Sequence, residues 1–318
     1  MTRAFTFPSL SLWMAAAAIP LNTLAQPCGF QRAFLQPDEK GTATVQVYRA
    51  APVAALGNQR PLVFITSLKV NTDGTKVSYH QDDPTGRRCL NDAGARPCAI
   101  NNIRNAFLRP SRPVSDFEAV RDAGYPAERT WQVLSDQIIE KSKRTGKPCL
   151  TGDGYLVSMT ADVAVPGGFA RQGDCDPTKW IDALTIPALV IPGGSPFAGF
   201  GVAKRSLVVA LSASTTQRVV PGVVGDFGPS NEIGEASVAM NRSLNGLDAT
   251  DLPRHRVDAI ERFQAGRTAV LVFPGPSSVL ARPITPERVS DAGSDALARF
   301  GGADRVYRCI RSEIDSAF

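Results

Sequence analysis

Short apolar runs, each bounded by glycine or proline, dominate the hydrophobic pattern of this chain. Ala43 to Tyr48 is β-prone, and Pro61 to Thr66, Ile186 to Pro192, Ser206 to Leu211 and Ala269 to Phe273 are further runs of strand length. Apolar stretches this short between chain breakers fit buried strands. Two Asp-Gly pairs add turn signals: Asp73-Gly74, with Val77 and Tyr79 as the expected return strand, and Asp153-Gly154, leading into Tyr155 to Ser158. Helical spacing is rarer. Trp131, Leu134, Ile138 and Ile139 predict a helix from about Ala127 to Gly146, with Trp131 packing into the core. Pro286 to Phe300 predicts another helix, stopped by Gly301-Gly302, and Ser115 with Glu118 suggests a capping box over one or two turns. Cys89 to about Pro126 reads as an irregular insertion. Many short strands with Gly/Pro punctuation predict a mainly β, α+β fold with a closed or sandwiched sheet.

The stretch from Val219 to Met240 concentrates the candidate chemistry. Its Val-rich run reads as a buried strand that stops at Gly225-Asp226, followed by turn residues Gly228 to Asn231 and a helix opening at Gly234-Glu235. Asp226 is thus expected at a strand end and Glu235 at a helix start, both at one end of the fold. Two carboxylates facing one cleft are what glycosidic hydrolysis requires, one as proton donor and the other as base or nucleophile. A helix N-terminus favours the ionised form of Glu235. On that ground the expected roles are Asp226 as acid and Glu235 as base.

Composition narrows the setting. The chain has 318 residues, 43% of them hydrophobic, enough for one large domain with an ample core. Arg3, the apolar stretch Leu10 to Leu21 and Thr23-Leu24-Ala25 before Gln26 read as a signal peptide over residues 1–25, leaving 26–318 as a single catalytic domain. The apolar stretch is too short to span a bilayer, so a secreted or periplasmic monomer with no membrane span is expected. Six cysteines follow the cleavage site, an even number that points to disulfides in an exported chain. Six cysteines allow 15 pairings; Cys89 and Cys98 are close enough for a small loop, and Cys149 and Cys175 bracket a second. No Cys-x-x-Cys occurs and there are only two histidines, so neither a metal nor any other cofactor is expected. The net charge of +5 comes without a basic run interleaved with aromatics, which argues against a nucleic-acid partner. No Gly-x-Ser-x-Gly elbow is present.

The ordered blocks carry a resemblance. Leu68-Lys69-Val70-Asn71-Thr72-Asp73-Gly74 with Tyr79 to Asp83, then Asp153 to Ser158, Ile186 to Gly193, Gly225-Asp226-Phe227-Gly228-Pro229 through Gly234-Glu235-Ala236-Ser237, and Leu271 to Gly275 resemble the chitosanases of glycoside hydrolase family 75 over roughly residues 62–309. Ala188 stands where that resemblance leads one to expect an aromatic residue. The resemblance implies an endo-acting, inverting hydrolase of β-1,4-linked glucosamine polymers, with Asp226 and Glu235 as its catalytic pair. Asp73 and Asp153 are candidate contacts for glucosamine ammonium groups, with a turn role as the alternative for each. Asp226-Phe227-Gly228-Pro229 also looks like the Asp-x-Gly-Pro element of double-psi β-barrels, so a closed six-stranded barrel of that type, with peripheral helices and disulfide-tied loops, is the expected fold; this likeness of fold leaves function open. A peptidoglycan-cleaving glycosidase or lytic transglycosylase, and a non-catalytic polysaccharide-binding barrel, are the competing readings.

Overall fold

The computed structural model describes residues 27–38, 44–160 and 162–318. The expected signal peptide lies outside them. The strands in chain order are β1 (Gln31–Pro37), β2 (Thr44–Arg49), β3 (Leu62–Ser67), β4 (Lys69–Asn71), β5 (Tyr79–His80), β6 (Tyr155–Leu156), β7 (Ala188–Pro192), β8 (Leu207–Ser212), β9 (Val219–Gly228), β10 (Glu235–Ser237) and β11 (Arg267–Val272). The helices are α1 (Arg88–Asn91), α2 (Val114–Asp122), α3 (Ala127–Val133), α4 (Val238–Asn245), α5 (Arg256–Phe263), α6 (Pro286–Phe300) and α7 (Ala303–Cys309). The fold is mixed α and β and is dominated by one large sheet.

That sheet has the order β1-β2-β3-β11-β8-β9-β7-β10-β4. Its two distant members β3 and β4 are separated in the chain by Leu68 alone. β3 pairs antiparallel with β11 from Arg267↔Ser67 to Val272↔Leu62, while β4 pairs parallel with β10. One continuous run from Leu62 to Asn71 therefore hydrogen-bonds to both ends of the path β11-β8-β9-β7-β10. The Lys69 N–H donates to the Gly234 carbonyl at 2.7 Å, just before β10 begins.

Side chains alternate across this sheet as strand geometry requires. Phe64, Leu189, Val208, Val224, Ala236 and Val270 point into one apolar cluster. Their neighbours Val63, Ala188, Val209, Val223, Ala269 and Leu271 point the other way, into a cluster shared with α6 and α7. Both sets are buried, which is why these strands read as nearly continuous apolar runs. α6 begins where Thr285 accepts the Arg288 N–H and ends at Gly301, whose φ of 114° a side chain rarely adopts. It packs closely on β9: a Cβ at Gly293 would fall 2.6 Å from that of Pro221.

A second layer has a core of its own, formed by α2, α3 and the β5–β6 pair around Phe107, Phe117, Leu134, Ile139 and Leu156. Several sequence expectations are corrected here. The helix expected over 127–146 stops at Val133, because Leu134 turns extended and bridges Phe107, with Leu108 N–H donating to Val133 and Ser135 N–H to Ala106. Tertiary pairing outweighs the helical spacing of the apolar residues. Trp131 does pack against this core, and its indole N–H donates to the Gly146 carbonyl at 2.7 Å. α2 spans nine residues, and its N-cap is Pro113 with no side-chain cap, so Ser115 does not form the expected capping box. Asp73-Gly74 does not close a hairpin either: β5 pairs with β6, and β4 with β10.

Three disulfides join Cys28–Cys309, Cys89–Cys98 and Cys149–Cys175. Disulfides are a feature of oxidising compartments, in agreement with the expected export. Among the described residues no helix is long and apolar enough to cross a membrane.

Candidate active site

β9 continues through Asp226 to Gly228, so Asp226 lies within a strand and not past its end. The pairing of β7 with β9 steps from Leu189↔Val224 to Val190↔Asp226 and skips Gly225. Gly225 is thus a bulge residue, and bulges re-aim the side chain that follows. Only glycine fits there, since an added Cβ would lie 2.7 Å from the Ala188 Cβ. Gly225 and Ala188 together keep the space in front of Asp226 open where a larger residue would fill it.

Glu235 requires a correction. It is the first residue of β10, and the residue that starts α4 is Ser237, whose hydroxyl accepts the Met240 N–H. The same hydroxyl accepts the Ala188 N–H at 2.9 Å and donates to the Ile186 carbonyl at 2.9 Å, tying β10 to the start of β7. No helix N-terminus acts on Glu235. Val190 of β7 is the register partner of both Asp226 on β9 and Glu235 on β10. Register partners share a face. The two carboxylates therefore flank Val190 on the same face, two strand spacings or roughly 10 Å apart at the backbone.

Their surroundings differ. Asp226 borders a narrow cavity of about 20 Å³, lined also by Asn71, Asp73, Thr160, Ala188 and Ser237. That volume is about the size of one water, and within a mostly apolar lining Asn71, Asp73, Asp226 and Ser237 are among the polar groups that could hold one. Its Oδ1 accepts the Phe227 N–H at 2.8 Å, which orients the carboxylate. Glu235 borders a larger cavity of about 320 Å³, shared with Lys69, Asn71, Asp73, Asn101, Arg256 and Gln264, within the size range of small-molecule sites. Burial pushes the Glu235 carboxyl up to about 7, with Glu232 and Asp73 adding to the effect and the Asn71 hydrogen bond and Lys69 opposing it. Near neutrality Glu235 holds a proton for a large fraction of the time.

Asp73 belongs to the site, bordering both cavities, but its Oδ1 is engaged: it accepts the Tyr79 hydroxyl and the Asn101 amide, the latter at 2.8 Å. Burial raises its carboxyl above the usual range against these two hydrogen bonds. Asp153 is not brought to the site. It sits on an exposed turn, borders neither cavity, and meets His80 Nε2 through its backbone carbonyl at 2.6 Å. Sequence reasoning missed Asn71, which borders both cavities. Its signal was available: an Asn two residues before the Asp of an Asp-Gly pair is Asx-turn chemistry, and Asn71 Oδ1 does accept the Asp73 N–H at 2.7 Å. Lys69, Asn101, Arg256 and Gln264 carried no such signal.

One trio, Cys28, Cys309 and Glu313, has the spacing of metal ligands. Its cysteines are disulfide-bonded and its carboxylate accepts the Cys28 and Phe30 N–H groups, so the donors already have partners. No family model matches the chain, and comparison with curated proteins finds no match.

Proposed function

We propose that the protein is an inverting glycoside hydrolase of β-1,4-linked aminosugar polymers, with chitosan as the first substrate to test. The observation that carries this reading is the division of labour around Val190. A carboxyl held near pH 7 borders a cavity large enough for sugar binding, and a second carboxylate on the same face borders space for one water. Inversion needs this arrangement, with carboxyl groups about 6.5–9.5 Å apart and water between the base and the anomeric carbon. The environments reverse the roles expected from sequence. Glu235, protonated near neutrality, donates to the leaving oxygen, and Asp226 takes a proton from the attacking water. Protonation breaks the C–O bond as water forms the new one from the opposite side, and Asp226 receives the water's proton.

We also read the five-strand path β11-β8-β9-β7-β10, with the run Leu62 to Asn71 as its sixth member, as closing into a barrel of the double-psi type. The support is that β3 and β4, one residue apart in the chain, flank its two ends. A second substrate reading has an observation in its favour. Lys69 and Arg256 border the Glu235 cavity, and cations suit the anionic glycan of a cell wall better than polycationic chitosan.

Reducing-sugar release from deacetylated chitosan and from purified cell-wall glycan tests the reading, with wild type, Asp226→Asn and Glu235→Gln side by side. Release by wild type that both substitutions abolish supports it, and the glycan that is cleaved identifies the substrate. No release from either glycan contradicts it.

A further inference from the structure

Asn71 borders the cavities of both candidate catalytic carboxylates, on a strand that neither of them occupies. Its Oδ1 accepts the Asp73 N–H at 2.7 Å, and its Nδ2 donates to Glu235 Oε2 at 3.2 Å. The backbone donor fixes the amide: a flipped Asn71 would set an NH₂ against an N–H, losing that hydrogen bond and leaving a lone pair facing Glu235. The backbone is fixed in turn, because Asn71 ends β4 and is paired with Ser237 of β10. Asp73, which supplies the N–H, is anchored by Tyr79 and Asn101.

We infer that Asn71 is a positioning residue that confines the Glu235 proton to Oε1. The inference rests on the hydrolase reading for its catalytic meaning. The chemistry is that of a carboxylic acid. Its carbonyl oxygen is the better acceptor, so a neutral Glu235 that receives an N–H at Oε2 carries its hydroxyl on Oε1. A general acid is effective only when its proton faces the leaving oxygen, and a carboxyl free to hold the proton on either oxygen is half misdirected. The charged groups around Glu235 are Lys69 on β4, Asp73 beyond it, Glu232 ahead of β10, Asp226 on β9 and Arg256 at the start of α5. Among the groups that shift Glu235, Asn71 is the neutral one: it acts by a single directed hydrogen bond, which opposes the upward effect of burial.

The test is the titration of the Glu235 carboxyl by carbon NMR in wild type, Asn71→Ala and the near-isosteric Asn71→Asp, with the pH profile of kcat measured in parallel. Loss of the N–H moves the Glu235 midpoint upward in both variants, further in Asn71→Asp because a charge is added. The alkaline limb of kcat moves upward with it. Below that limb kcat falls on the order of ten- to a hundredfold with little change in KM. The NMR arm needs no substrate, so an upward midpoint in a protein that cleaves no glycan refutes the hydrolase reading and leaves the Asn71 contact standing. A Glu235 midpoint that does not move in folded Asn71→Asp overturns the inference, as does an unchanged kcat profile in an active enzyme. If Asn71→Ala does not fold, the near-isosteric, uncharged Asn71→Leu takes its place, and a midpoint that does not move in it overturns the inference.

Discussion

At the scale of single residues, the candidate site is built around a glycine and a carboxyl. Gly225 skips its place in the β7–β9 pairing so that Asp226 takes the position beside Val190, and a Cβ added there would fall 2.7 Å from that of Ala188. Gly225→Ala is expected to cost about 1–3 kcal/mol by overpacking, and to impair hydrolysis beyond its effect on stability by turning Asp226. Denaturant melts alongside kcat check both parts. Glu235 ties stability to pH. Its carboxyl rises from an ordinary 4.5 to about 7 in the folded chain, so between those values the folded state binds more protons than the unfolded one. Stability from this group is then fully present below about pH 4.5 and is lost as pH rises through about 7, by on the order of 3 kcal/mol. Melting temperatures of wild type and Glu235→Gln measured from pH 4 to 8 should converge at low pH, with the variant the more stable at pH 8. A constant difference would contradict this. Asp226 and Glu235 were legible in the sequence as a pair because a short loop joins them. The Asx turn at Asn71 was legible, but its place at the site was not, because its contact with Glu235 spans 164 residues. Glu235 was placed on a helix because Gly234 to Ser237 precedes a true helix; Ser237, an ordinary N-cap residue, marks the boundary more accurately than Glu235 does.

At the scale of elements, the strands were legible and their partners were not. The apolar runs at Pro61, Ile186, Ser206 and Ala269 correspond to β3, β7, β8 and β11, with ends displaced by a residue or two. Burial on both faces makes such runs conspicuous. α6 was legible to the residue at both ends, since Pro286 and Gly301 mark its limits. α3 was overextended because the bridge that ends it, Leu134 to Phe107, joins segments with no common sequence signal. The close seat of α6 on β9 gives a prediction at this scale. Gly293→Ala should destabilise the protein by about 1–3 kcal/mol even though alanine is the better helix former. A gain in melting temperature would show that α6 can move away from Pro221.

At the scale of the whole molecule, the sheet is organised by a feature that no local pattern carries: one run of chain, Leu62 to Asn71, serves β11 with its first part and β10 with its last. That run brings Lys69 and Asn71 beside Glu235, so the site depends on the pairing of the whole sheet. The Cys28–Cys309 disulfide spans 281 residues and ties the first described segment to the end of α7. Replacing both cysteines by serine should cost about 2–5 kcal/mol, read as an earlier denaturant midpoint with hydrolysis retained below it. The central claim, that Glu235 is the acid and Asp226 the base, is tested most directly by leaving-group dependence. Glu235→Gln and Asp226→Asn are each assayed on the natural glycan and on an oligosaccharide of the same sugar carrying a dinitrophenyl leaving group, which needs no protonation. Glu235→Gln is expected to fail on the glycan but to cleave the dinitrophenyl substrate, whereas Asp226→Asn is expected to fail on both. The opposite pattern, or near-wild-type cleavage of the glycan by either variant, would contradict the claim.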